Sequence, residues 1–557
     1  MKKNLATKVL SLLLACVMVF SLVACNNTTN KETDAPTKPT DKATEAPTGE
    51  GETNSGETEA PTNFYPMETD KSVSVYLGAS KAALSSVYKN YDESWWHSRV
   101  EGMTGIGTEW VDPVQDQVAL EMMLLDPKEA PNIIFYNGKG TDGYKTMVDD
   151  GIALDLTDYL EEYAPNYWEY VHRPENAELL KMTTDDEGRF YFIPGMAESD
   201  FNLTYMGFVV RKDWLDECNL PVPVTLEDYK NVLTAFKDKY GARFLAEYSN
   251  LRTAGIASGT GAYLGIDAGI RERDGKVVFE PLSTEWQKQV ETYADWKKND
   301  LLDGDFFSAD GTLLRQKVAE GKVGLTYVPM SQMTNFILDA EESKSGAEWV
   351  AIEYPREAAG VPTTCIQTNH LWQDYCSVLI SAHCPEELIP VCLRWLDYFW
   401  TEEGIMFANF GIEGETYEIV DGKPQFTDLV MKDETGLAQA VQKYTAWDSA
   451  FVGIQKADYL RAKNANTPAV VEAIEIWTNN TEAGKHLTLK VLRTDAEKQA
   501  HSDVYSPIRT YVRERVAAYI NGSEEIDWAK FVKTIEDMGI KQSTDAYQAA
   551  YDRYTNK

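Results

Sequence analysis

The chain has 557 residues, of which 43% are hydrophobic and 11% aromatic, the composition of a folded globular protein rather than a disordered polymer. Its net charge of −35 argues against nucleic acid and anionic polymers, because phosphate binding needs a basic face and no Arg/Lys cluster supplies one locally. At this length a single hydrophobic core is insufficient, and two or more lobes are expected.

In chain order, Lys2, Lys3 and Lys8 precede an apolar run, Val9 to Val23, that ends at a small-residue junction, Ala24-Cys25. This is the layout of an export signal covering residues 1–24, and the run is too short to make a stable transmembrane helix. The junction Leu22-Val23-Ala24-Cys25 resembles the lipobox of bacterial lipoproteins. That resemblance implies removal of the signal, acylation of Cys25 and residence on the outer face of the cell membrane. Leu13-Leu14-Ala15-Cys16 is a weaker second junction, because cleavage there would leave too short an apolar core. Residues 25–65 are dominated by Thr, Asn, Pro, Gly, Ser and Glu and cannot bury enough surface to offset conformational entropy, so a disordered tether is expected.

Beyond the tether, strands alternate with amphipathic helices, the pattern of an α/β fold with a largely parallel sheet. Ser72 to Leu77 reads as a strand, and a helix follows Glu93. Asn132 to Tyr136 is a short apolar run ending in polar and glycine residues; Ala153 to Leu156 follows, then a helix started by Thr157. Tyr205 to Val210 and Val323 to Tyr327 are further strands. Thr225-Leu226-Glu227-Asp228 has the form of a capping box, with Leu226, Tyr229, Leu233 and Phe236 on one face and Gly241 as the stop. Trp528, Phe531, Val532 and Ile535 repeat that geometry before Gly539, in a C-terminal half that is mostly helical.

Several motifs invite other chemistry. Cys365, Cys376, Cys384 and Cys392 cluster in sequence with His370 and His383, but their spacing lacks the short Cys-x2-Cys pairs of structural zinc sites; buried thiols, or at most one disulfide, are expected, and no metal or cofactor. Gly138-Lys139-Gly140-Thr141-Asp142-Gly143 fits a dinucleotide fingerprint, yet the first strand-helix unit does not carry it, and an exported protein would lack the cofactor pool. The 88 carboxylates guarantee chance pairs that mimic a glycosidase, and no spacing singles one out.

An ordered series of motifs carries a wider resemblance. Ala130-Pro131-Asn132-Ile133-Ile134-Phe135-Tyr136 resembles the "PDI(I/V)" strand of bacterial solute-binding proteins, with Asn132 where Asp is usual. Asp150 to Leu160, Gly188-Arg189-Phe190-Tyr191-Phe192-Ile193-Pro194, Arg211-Lys212-Asp213-Trp214-Leu215, Asn409 to Tyr417 and Ala546 to Tyr554 are similar to later segments of the same family, in the same order. The family is that of the extracellular solute-binding lipoproteins of ABC importers, specifically the large carbohydrate or oligosaccharide branch of Gram-positive bacteria. It implies a type II periplasmic-binding-protein-like fold: two α/β lobes with a hinge and a ligand cleft between them, and a helix-rich C-terminal part. The expected division is lobe I over 66–200, lobe II over 201–372, a return to lobe I over 373–440, and a helical region over 441–557 packing mainly on lobe II. A calcium loop common in this branch is missing after Phe236 to Tyr240, and Asp303, Asp305 and Asp310 read as surface acids.

A neutral oligosaccharide needs aromatic platforms for its ring faces and planar polar groups for its hydroxyls. Ligands of open α/β sheets sit at the carboxyl ends of strands, which selects Gly78 to Ser80, Tyr136 with Asn137, and Tyr327, Tyr136 foremost because an aromatic follows this strand in maltose-binding relatives. Glu198, Asp200 and Asn202 fall in the crossover before the next strand, Trp372 at the return crossover, Trp447 in a loop-like segment, and Trp95 near the first strand. Core packing competes with ligand contact for each of these. The expected function is capture of a sugar by hinged closure and delivery to an ABC permease, without catalysis. A surface-anchored glycoside hydrolase and a glycan-sensing lipoprotein are the alternatives.

Overall fold

The computed structural model describes residues 64–77, 87–114, 117–136, 140–197, 206–253, 269–356, 358, 360, 373–446, 453–464, 467–479 and 491–557. They form two lobes, each around its own sheet.

Lobe I begins with β1 (Ser72–Leu77), β2 (Gly107–Val111), α1 (Gln117–Leu125), β3 (Ile133–Tyr136), α2 (Gly140–Asp149), α3 (Ala177–Thr183) and β4 (Ile193–Ala197). Alternation sets the faces of β1: Val73, Val75 and Leu77 enter a core with Trp96, Tyr167 and Phe407, while Tyr76 points to the opposite face. β3 divides likewise, Ile133 and Phe135 to the first face, Ile134 and Tyr136 to the second. Asn132 pins the start of β3 to β1: its Oδ1 accepts from the Ser74 N–H (2.9 Å) and hydroxyl (3.0 Å), and its own N–H donates to the Ser74 oxygen at 2.9 Å. The amide thus works as a sheet clasp. Thr157 starts no helix directly; its hydroxyl donates to Asp155 and accepts the Phe190 N–H, and the short helix Leu160–Tyr163 begins three residues later.

Lobe II contains β5 (Met206–Arg211), α4 (Leu226–Tyr240), β6 (Ile270–Arg273), β7 (Lys276–Phe279), α5 (Thr284–Lys298), β8 (Leu325–Pro329), α6 (Met330–Ser343) and β9 (Trp349–Ile352). The capping box at Thr225 and Asp228 is formed as expected, and Gly241 closes α4 in the left-handed conformation at φ 69°. β8 and β9 flank β5, both antiparallel to it, with Phe208 opposite Tyr327 and Ile352. Asp303 and Asp305 converge on the Lys317 ammonium, and Asp310 caps the next helix by accepting the Leu313 N–H. The charge those acids gather is therefore met by a lysine.

The chain then returns to lobe I as β10 (Gln373–Ile380), α7 (Ile389–Tyr398), α8 (Glu402–Phe410) and β13, the last a two-residue strand (Ile454–Gln455) reached after a hairpin, β11 (Tyr417–Val420) and β12 (Lys423–Phe426). The lobe I sheet has the order β13-β4-β10-β3-β1-β2. β10 inserts antiparallel between β3 and β4, Ser377 opposite both Tyr136 and Pro194. Ile454 pairs with Met196, so lobe I extends past residue 440, and the last passage to lobe II falls between Lys463 and α9 (Pro468–Asn479). On α9, Trp477 lies over Gly207, where an added Cβ would sit 2.2 Å from the indole, so only glycine fits beneath it. α10 (Asp495–Ile520), α11 (Trp528–Asp537) and α12 (Ile540–Asn556) complete the chain, with Ile508, Val512, Phe531 and Ile535 joining Trp286 and Tyr293 of α5 in the lobe II core. Among the described residues no helix is long and apolar enough to cross a membrane.

Candidate functional site

Because β1, β3, β4 and β13 run parallel and β10 opposes them, Leu77, Tyr136, Ala197 and Gln455 end at the edge where β10 begins. In lobe II, Met206 opens β5 opposite Pro329, the last residue of β8, and β9 runs out beside them. Ala197, the last residue of β4, stands on the first edge and Met206, the first residue of β5, on the second. Carboxyl-end edges are where open α/β sheets hold ligands, so the candidate site is the cleft that the two edges border.

Tyr136 stands at its strand end, but its ring lies on the sheet face among Tyr76, Tyr144, Phe192 and Leu379, with only 4% of its surface exposed. Its carbonyl accepts the Tyr144 hydroxyl at 3.3 Å. Tyr327 is wholly enclosed, its ring 5.1 Å from Phe208 and 6.2 Å from Tyr354, and so forms part of the lobe II wall. Trp95 is part-buried in lobe I, edge-on to Tyr444 at 5.6 Å and covered by the Arg99 guanidinium at 4.0 Å. Its neighbour Trp96 is core, donating its indole N–H to the Phe407 carbonyl. Asn137, Glu198, Asp200, Asn202, Trp372, Trp447 and Cys25 lie outside the described residues, as do Gly78 to Ser80.

Two polar residues that sequence reasoning passed over meet at the lobe II edge. Phe244, Leu245 and Ala246 are buried alongside β8, held by Arg243 N–H donating to the Lys322 carbonyl (2.9 Å) and by the Thr326 hydroxyl donating to the Leu245 carbonyl (2.5 Å). That register carries Glu247 to the cleft edge. Gln332, in the first turn of α6, donates its amide to Glu247 Oε2 at 2.9 Å, and the Ser249 hydroxyl donates to Oε1. Gln332 Oε1 is buried and has no hydrogen-bond partner. Gly311 faces the pair: a Cβ there would lie 2.7 Å from Gln332 Nε2 and 3.1 Å from Glu247 Oε2, so a larger residue would push the amide and carboxylate out of place. The result is a carboxylate held in one orientation with lone pairs to spare, which suits a sugar hydroxyl donor. The available signal was an apolar run ending in polar residues, Phe-Leu-Ala-Glu-Tyr-Ser, the same pattern that flagged Tyr136.

At the last passage between lobes, the Lys463 ammonium is fully buried and donates to Asn409 Oδ1 at 3.0 Å; burial pushes its pKa down to about 7. Asn409 in turn donates to the Ile405 and Ile454 carbonyls, so this lysine and amide brace β13 against α8. A hydrolytic site would need two neighbouring carboxyl groups, one with a raised pKa. Burial raises Asp397 and Glu280, but Asp397 is surrounded by Asn166, Tyr167 and Tyr65, and Glu280 is paired with Arg273. Both partner sets are structural.

The family described as bacterial extracellular solute-binding protein matches residues 128–410, just over half of the chain. The fructooligosaccharide ABC transporter substrate-binding protein FusA of Streptococcus pneumoniae is 19% identical over 88% of this chain and 92% of its own length. The polygalacturonan/rhamnogalacturonan-binding protein YtcQ of Bacillus subtilis is 26% identical over 72% of this chain and 76% of its own length. The solved structure of the S. pneumoniae FusA with kestose superposes with a TM-score of 0.66 at 18% identity, covering 87% of this chain and 100% of that one. The lobes, the inserted return strand and the family match agree, and the chain belongs to the bacterial extracellular solute-binding proteins.

Proposed function

We propose that the protein is the solute-binding subunit of an ABC importer, anchored to the outer face of the membrane through Cys25, and that its cargo is a neutral oligosaccharide. The solute enters the cleft, gains contacts to both lobes that it lacks when they stand apart, and so stabilises the closed state that a permease accepts. The Glu247–Gln332 pair at the lobe II edge is the observation that carries the choice of cargo. A fixed carboxylate accepts from sugar hydroxyls and repels a uronate, so it favours a neutral chain over an acidic one. Tyr136 and Asn137 at the end of β3, with Glu198, Asp200, Asn202, Trp372 and Trp447 on the connecting segments, are the further ligand candidates; Tyr327 and Trp95 act behind them as wall and support. The relatives bracket the question, since one is named for fructooligosaccharide and another for polygalacturonan and rhamnogalacturonan.

The test is a thermal-shift and calorimetric panel on the mature domain, with fructooligosaccharides and other neutral chains set against oligogalacturonates, plus an assay for released reducing ends. A neutral sugar should bind intact, with Glu247→Gln weakening it about tenfold, the size of one lost charge-assisted hydrogen bond. Tighter binding of oligogalacturonate would reverse the charge preference. Release of reducing ends would replace the carrier by a hydrolase.

A further inference from the structure

We infer that the outward face of α1 is the lobe I contact for the membrane-embedded permease subunit, an assignment that rests on the importer reading above. Val118, Met122 and Leu125 are 65%, 69% and 57% exposed. At 100° per residue the three fall within about 60° of arc, while Leu120 and Leu124 point to the opposite side and are buried against the sheet. α1 is therefore apolar on both faces. Packing explains only the inner one.

Position and charge identify the occupant. α1 follows β2, which is parallel to β1 and ends at the cleft edge, so the helix starts at the rim and Val118 lies nearest to it. A partner that must tell a closed carrier from an open one has to touch the rim. The stripe is too small for a stable dimer, which needs about 800 Å² from each copy, but it suits a transient encounter. It is bordered by exposed Asp112, Glu121, Asp126 and Glu129 against Lys128. That acidic border, on a chain of net charge −35, disfavours both a second copy and an anionic lipid surface. An apolar pocket with a basic border on a transport subunit meets both features.

The experiment places a photo-crosslinking benzoylphenylalanine at position 122 of the full chain in its native host, with position 533 on α11 as a control. Irradiation in native membranes, followed by mass spectrometry, should identify a transmembrane subunit of a sugar importer at 122 and not at 533. Met122→Glu, which changes an exposed side chain and should leave the melting temperature and sugar binding unaltered, is expected to cut cross-linking from position 118 about tenfold, the loss typical of one charged-out anchor. A cross-linked dimer, a lipid adduct, or a yield no higher than the control would overturn the assignment while leaving the importer reading intact. A cross-link to a membrane kinase would overturn both.

Discussion

His97 illustrates how an ordinary residue type takes on an unusual state. Its ring is enclosed by Tyr88, Tyr91, Trp96 and Trp110 at 4.6 to 5.6 Å between centroids, and its Nδ1 meets the Ser94 hydroxyl at 2.7 Å. Burial lowers its pKa from 6.5 to about 3. Between those values the unfolded chain binds a proton that the folded chain refuses, so the folded state is fully favoured above pH 6.5 and loses stability as the pH falls toward 3. The melting temperature should drop across that window, and His97→Phe should flatten the drop in a pH series of thermal melts. An unchanged slope would place the acid sensitivity elsewhere.

Elements are completed by residues far away in sequence. The helix Pro165–Val171 has no side-chain cap of its own; Ala164 precedes it. Its first-turn N–H groups, those of Asn166 and Tyr167, donate instead to Asp397 Oδ1 on α7 at 2.8 and 3.0 Å, while the Asn166 amide reaches Oδ2 at 2.7 Å. Asp397→Ala should orphan these buried donors and lower stability by roughly 2–4 kcal/mol, readable by urea unfolding. Thr225 contrasts with this. Its capping partner, Asp228, lies three residues on, and the whole motif was legible without a structure. So were β1 and the run ending at Tyr136, whose alternation and turn residues are local, and the resemblance added lobes and a cleft. The Asp397 cap was invisible because its two halves are 231 residues apart.

Across the whole molecule, the start of α10 and the end of α12 reach from lobe II to lobe I as one arm. Arg493 donates its backbone N–H and Nε to the two oxygens of Asp142 on α2, each at 2.7 Å, and lies 4.4 Å over the Tyr547 ring. Arg553 joins Glu497 and reaches Asp186 at 3.2 Å, the Tyr554 hydroxyl donates to Glu178, and Lys557 donates to the Thr184 carbonyl and hydroxyl at 2.9 and 2.7 Å. The Arg493–Asp142 pair is about five-sixths buried and bidentate, so it is worth more than an exposed ion pair, on the order of 1–3 kcal/mol. Arg493→Ala should broaden the distribution of distances between spin labels on α3 and α11, with little change in the melting temperature. A distribution identical to wild type would mean that the chain crossings alone set the angle between lobes.

Legible in the sequence was what is encoded within a few residues or along one strand or helix: the acidic character, the alternation of strands and helices, the caps at Thr225 and Gly241, and motif order sufficient for the family. Only the tertiary structure decided that β10 inserts antiparallel beside Tyr136, that the Tyr327 ring is walled in, and that Glu247 and Gln332 meet across 85 residues. The reason is physical. Capping and periodicity are set by neighbours in the chain, whereas the pairing of strand edges and of buried polar groups depends on which surfaces are left to be covered once the cores have formed.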